Sequence, residues 1–458
     1  VGKYEIADFS FQSGAKGFTP AGSLKDASIP VIKSSDFAIP PMKADFTQFL
    51  CDTEYAYWYG MFRFIHDELK APQPISGTQL NYSPSSIQAA LDYVDHHAYW
   101  LHPSVHSNWE IGNRPMVNSI LNCVTGMSGQ RVAGKPFTVS EYNHPFPNYY
   151  GAEGQPMLRA YGAFQDWDGV FEYTYNHSPD FQPTKNTYFF SMICRTDVLA
   201  HIPACAAMFL RGDVQKAKQC VTANISDKTE FDKLRKGQGI SVGITSAGLS
   251  GSLPLLHQTQ VALHAGEDSV SGVENPNEEL DAMKNLIVSD TGELVWDNQT
   301  PGKGVFLVRS PNTKLFTGFP EGKTFDLAHG VSIAIGKTRM NWATVSLTSR
   351  NANGFGLNGA SSILLTATGY CGNAGQIAEE RPGNKIHFTT WGDGPVVAEG
   401  IPAVVTLPAE IANVKVYALD QRGDRKAEVP VTANVNGKAV ISIDPKYQTI
   451  WYEIEITK

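Results

Sequence analysis

From residue 46 to residue 69 the apolar side chains Phe46, Phe49, Leu50, Tyr57, Met61 and Ile65 recur at spacings of three, four and seven. That period puts them on one face of a helix, and Pro72 and Pro74 stop it. An extended run over 74–80 follows, then a turn at Tyr82-Ser83-Pro84 and a helical turn over 85–90. Residues 91–100 read as a buried strand and 116–131 as a helical or mixed segment. A short β-branched run over 136–140 ends at Glu141. A helix over 155–166, a strand over 169–175 and an apolar-faced helical stretch over 188–210 complete the rhythm. Strands alternating with helices imply parallel βα units. Four such strands fall between about residue 74 and residue 212, half of the eight that a (β/α)8 barrel requires.

After Asp213 the texture changes. Strand-like runs begin at Ser241, Gly304, Val331, Ala343, Ile363, Ala403, Val414 and Thr449, with Gly, Asn, Asp and Pro turns between them. This pattern predicts a β-sandwich or barrel, with one helix at 276–286. Residues 1–45, rich in Gly, Pro, Ser and Lys, read as a long loop or arm. The expected organisation is therefore an arm over 1–45, barrel-type βα units over 46–213 and β-rich sandwich over 214–458. The 458 residues suit two or three domains.

Composition narrows the function classes. Net charge is -8 and the basic residues are scattered, which argues against a nucleic-acid surface. No apolar run is long enough to span a membrane. Charged residues are only 18% and aromatics 11%, so neutral polar and aromatic groups must cover much of the surface, as suits polyhydroxylated ligands. The six cysteines form no C-x-x-C pair, so three disulfides and six thiols are both open. The chain starts at Val1 with no leader pattern after it, so a longer precursor or an accompanying segment is expected.

In a (β/α)8 enzyme the catalytic groups sit at the C-terminal ends of the strands. The polar and aromatic groups at those ends include Gln79, Asp95, His96, His97, Tyr99, Trp100, Glu141, Asn143, His144, Glu172, Tyr173 and Tyr175. Lys135-Pro-Phe-Thr-Val-Ser-Glu-Tyr-Asn-His-Pro carries the sharpest signal, because a short strand delivers an acid straight into an Asn, His and Pro loop. Such an acid suits nucleophilic attack on an anomeric carbon; a structural ion pair at the rim is the other reading. His96, His97 and His102 with Asp95 could form a metal cluster, though no helical His pair is present and sugar contacts explain them equally well. Trp100, Trp109 and Trp167 read as sugar platforms or core, Trp167 as core.

Thr138-Val-Ser-Glu141 resembles the seventh strand of clan A retaining glycoside hydrolases, and His97-Ala-Tyr99 resembles the His-x-Tyr of their sixth. Residues 165–175 resemble the approach to the eighth strand and 74–79 the fifth. Residues 285–458 resemble the accessory β domain of multidomain bacterial enzymes of that clan. The resemblance implies the C-terminal half of a TIM barrel followed by β-sandwich, acting on a β-linked sugar in an extracellular or periplasmic setting, with no cofactor and no metal. It makes Glu141 the nucleophile and Tyr99 the residue that orients it. His97, Asn143, His144, Trp100, Gln79, Tyr173 and Tyr175 become substrate contacts. The clan takes its acid/base from an Asn-Glu pair at the fourth strand, and none precedes the first helix here. An oligo- or polysaccharide substrate and an N-terminal half, as part of the same protein or a separate chain, are therefore the expected partners. A non-catalytic carbohydrate-binding or structural protein derived from such an enzyme is the alternative, and a metal-dependent lyase or hydrolase a third reading.

Overall fold

The computed structural model describes Lys25 and residues 40–104, 110–356 and 358–457. Nearly all of the expected arm over 1–45, and Trp109, lie outside the described residues. Helix α1 (Pro40–Arg63) continues through one π-helical turn, Phe64–Glu68. A short helix α2 (Ser85–Ala89) leads into strand β1 (Val94–Tyr99). Next come a short strand β2 (Glu110–Gly112), helix α3 (Cys123–Ser128), strand β3 (Phe137–Asn143), helix α4 (Gly154–Phe164) and strand β4 (Gly169–Glu172).

Strands β1, β3 and β4 form a parallel sheet in that order. The run over 74–80 adds only a single parallel bridge, Gln79 to Asp95. The result is an open parallel arc; no closed barrel forms among the described residues. Its core is assembled by alternation along β3, where Phe137 and Val139 are fully buried and meet the equally buried Val94, Met157, Phe164 and Trp167. Removing a ring such as that of Phe137 costs about 3–5 kcal/mol. Asp168 shapes the entry to β4, its carboxylate accepting the Phe137 amide at 2.8 Å.

Two segments depart from their sequence pattern. Residues 188–210 are not one helix but a loop to Arg195, then Thr196–Leu199 and Ile202–Phe209. Asn186 Nδ2 satisfies the Ser191 carbonyl at 2.8 Å in place of a helical bond, and the buried Arg195 guanidinium ties the segment inward through the Asp197 carboxylate and the His144 carbonyl. Ser241 to Ile244 is not a strand, because Val242 and Ile244 donate to Ser85 Oγ and to the Gly129 carbonyl instead of to a neighbouring strand.

The change to all-β texture also falls later than residue 214. Strands β5 (Cys220–Ser226) and β6 (Gln258–His264) are parallel, and Val261 bridges to Val132. Their apolar residues share one core with β1 and β3. Beyond them the chain is β-rich: a nine-stranded and a five-stranded sheet enclose a second core that includes Phe316, Val345, Leu365, Val405, Ile441 and Ile454. The nine-stranded sheet also covers α4, where Tyr161 packs its ring 5.8 Å from Trp296 and 5.5 Å from Phe306. His201 plugs this contact, its two nitrogens 3.0 Å from Ser346 Oγ and 2.8 Å from Thr368 Oγ1. No helix among the described residues is long and apolar enough to cross a membrane. All six cysteines are unpaired thiols.

Candidate active site

Asp95, His97 and Tyr99 lie along β1, and the register sets His97 opposite Glu141 of β3. A bulge between His96 and His97 adjusts the spacing there. The Tyr99 hydroxyl donates to Glu141 Oε2, and His97 Nδ1 lies 3.4 Å from the same oxygen. The other His97 nitrogen faces Ser140 Oγ at 2.7 Å and Asp95 Oδ2 at 3.1 Å. Asp95 also accepts from the Ser140 amide at 3.0 Å and from both the Ser140 and Thr138 hydroxyls. Asp95, His97, Glu141 and Tyr99 thus form one continuous chain of polar contacts.

Its electrostatics are graded from inside to outside. Burial works against the charge of Asp95, but bonds from His97, Ser140 and Thr138 outweigh it and hold that carboxyl below its ordinary value. Burial, and then Glu141, push the Tyr99 phenol up, so it stays a donor. Glu141 at the outer end keeps about a third of its side chain open to solvent. His96 is turned inward, where burial lowers it to about 4 and keeps it neutral.

Rings continue from this chain. Phe190 lies 4.8 Å from Tyr99 and 5.7 Å from Tyr173, and His102 lies 5.2 Å from Tyr99. They reach the site because Asn143, itself buried, donates through Nδ2 to the carbonyls of Tyr173 and Phe190 at 2.7 Å each. Asn143 therefore clamps the loop that carries the rings.

The sequence-derived residues separate into two groups. Glu141, Tyr99, His97 and Tyr173 meet in one half-open cluster, with Tyr175 exposed nearby on the same loop and Gln79 half-buried beside Asp95. Trp100 and His144 are buried away from it. The Trp100 indole donates to the Arg114 carbonyl at 2.9 Å. His144 has no exposed surface and faces Glu153 at 3.3 Å. A Cβ at Gly154 would sit 2.5 Å from His144 Nδ1, so the glycine makes room for that ring. Burial pushes Glu153 up to about 8 against two bonds from the Met116 and Val117 amides, and burial followed by Arg195 depresses His144 well below its ordinary value. Glu172, also at a strand end, is buried against Arg159 at 2.6 Å and Gln155.

Sequence reasoning missed the bracing role of Asp95 and Ser140, although Asp95, His97 and Tyr99 recur at period two, a readable signal. Phe190 and Glu153 carried no signal; the first sits in an apparent helix and the second in a helix start. Among the described residues no group of three or more His, Cys, Asp or Glu side chains is placed to hold a metal ion.

No protein-family model, curated protein or solved structure matches this chain.

Proposed function

We propose that this chain carries the nucleophile of a retaining glycoside hydrolase acting on a β-linked sugar. The observation that carries the reading is the Asp95–His97–Glu141–Tyr99 chain, which fixes one partly exposed carboxylate at the end of a parallel strand among aromatic rings. In the reaction, a Glu141 oxygen attacks the anomeric carbon while the bond to the leaving oxygen breaks with its electron pair. A second carboxyl protonates that oxygen and later takes a proton from the water that releases the sugar. Tyr99 and His97 position Glu141, and Tyr173 flanks the sugar.

The second carboxyl is assigned to a segment outside the described residues or to a second chain, which would also extend the parallel arc toward a (β/α)8 barrel. The exposed face of α1 supports such a neighbour, since Phe49, Leu50 and Tyr57 are each 45% or more exposed there. A polysaccharide substrate goes with an extracellular or periplasmic setting, and the reaction needs no cofactor.

A 2,4-dinitrophenyl 2-deoxy-2-fluoro-β-glycoside tests the nucleophile without its acid, because dinitrophenolate leaves unprotonated. The expected result is a glycosyl mass increment on the peptide containing Glu141, absent in Glu141→Gln. A label on another carboxylate, or none across gluco, galacto, manno and xylo reagents, would overturn the assignment. A second reading, a non-catalytic saccharide-binding protein, is favoured by one observation. The carboxyl in contact with this chain of groups besides Glu141, Asp95, is already engaged by Thr138, Ser140 and His97.

A further inference from the structure

We infer that Tyr188 and His177, with the cavity beside them, form a second saccharide subsite that binds a sugar unit beyond the one at Glu141. The inference rests on the carbohydrate reading above and gives it a polymeric substrate.

Ring continuity is the first observation. From Tyr99, which holds Glu141, the centroids step 6.3 Å to Tyr173, 5.3 Å to His177 and 5.8 Å to Tyr188. The last two rings lie within 20° of parallel. Single exposed aromatics are ordinary, but Tyr173, Tyr175, Phe181 and Tyr188 are all exposed within one loop at the strand ends.

The second observation is a cavity of about 210 Å³ beside the Tyr188 ring, lined by Asn176, Asp180, Lys185 and Thr187 among others. It has room for one sugar ring. The Asn176 amide is already engaged by the Ser178 and Asp180 carbonyls, so the Asp180 carboxylate, the Thr187 hydroxyl and the remaining Lys185 protons serve sugar hydroxyls beside an aromatic face for C–H groups.

Rigidity is the third. Asn186 and Asn373 exchange bonds, the Asn186 amide donating to Asn373 Oδ1 at 2.9 Å and Asn373 Nδ2 donating to the Asn186 carbonyl at 2.6 Å. The Val396 amide donates to the Thr184 carbonyl at 3.1 Å and Lys185 Nζ to the Gly392 carbonyl at 2.8 Å. The β-rich region therefore holds the backbone of the loop in place before a ligand arrives, which lowers the loop-ordering cost of binding.

Calorimetric titration of the whole chain with cello-, laminari-, manno- and xylo-oligosaccharides of one to six units tests the subsite. In one series affinity should rise about tenfold with added units. Tyr188→Ala should abolish that rise and leave the single-unit affinity unchanged, while Tyr188→Phe keeps it. Circular dichroism should match wild type, since the ring is exposed. No rise with length in any series, no binding at all, or a rise that survives in Tyr188→Ala overturns the subsite. Glu141→Gln should keep the length dependence. Failure of Glu141 to take the fluoro-sugar label, with Tyr188-dependent binding intact, would remove the hydrolase reading and leave the subsite standing.

Discussion

Glu141 and Glu153 each face a histidine at nearly the same separation, 3.4 Å to His97 and 3.3 Å to His144. Their surroundings make them opposites. Glu141 is partly open to water, shares its histidine with Asp95 and Ser140, and accepts a bond of its own from Tyr99. Glu153 is sealed, receives two backbone amides and is driven up to about 8 by burial. A sealed acid cannot reach a substrate, however well it is paired. Access and bracing, rather than the pair itself, separate a site from a structural lock.

The largest effect that sharpens this contrast is expected at Glu141. Glu141→Gln should lower turnover or fluoro-sugar labelling by at least about 10³-fold, with the melting temperature of wild type. The reverse result, normal labelling and a lowered melting temperature, would make Glu141 the structural member.

Next in size is Glu153→Ala. It leaves the buried Met116 and Val117 amides without their acceptor, at about 1–3 kcal/mol per group. Thermal unfolding should drop by about 4 °C or more. A variant that melts like wild type would show that Glu153 is not a lock.

Tyr99→Phe should come third, with a rate loss of about 10²-fold, the scale of one lost charge-stabilising donor, and little change in stability. Kinetics on an aryl glycoside separate it from Tyr173, whose loss should raise KM more than it lowers kcat.

The smallest effect is a pH slope. Because Glu153 is raised in the folded protein, its contribution is complete below about 4.5 and is lost as pH rises to about 8. His144 is lowered, so its contribution is present above about 6.5 and lost as pH falls. The histidine is common to wild type and Glu153→Gln, so between pH 6.5 and 8 the Gln variant should gain stability relative to wild type as pH rises. Scanning calorimetry at both ends of that interval would show it; a constant difference would mean that Glu153 is ionised throughout.

Much of the inner architecture was legible because it depends on local pattern. The strand at Val94–Tyr99, the strand ending near Glu141 and the helix at Gly154–Phe164 follow their periodicity. The β-rich texture of the C-terminal region follows from its short strands and turns. What was not legible depends on distant partners. His97 and His144 look alike in the sequence, and only the fold of Gly154 over one ring and the bulge beside the other tell them apart. The loop over 174–195 carries helix-like apolar spacing toward its end, yet Asn143 and Asn373 capture its backbone groups from far along the chain and Asn186 does so from within the loop. Parallel pairing of Cys220–Ser226 with Gln258–His264 was hidden by the short β-like runs around it.

One pairing described above also bears on how the protein is made. Glu110–Gly112 completes its sheet only with Lys385–Thr390, and Asn186 finds Asn373. The first partner of the strand pair leaves the ribosome roughly 270 residues before the second, a delay of about 14–55 s at ordinary elongation rates of ~5–20 residues per second. The ring-bearing loop, clamped by Asn143, likewise gains its second anchor only when Asn373 emerges 187 residues after Asn186. Stalled nascent chains ending near residue 370 should be cut by protease within 174–195, and released full-length chains should resist. Synonymous codons that slow this stretch would lengthen the vulnerable interval without changing a single side chain.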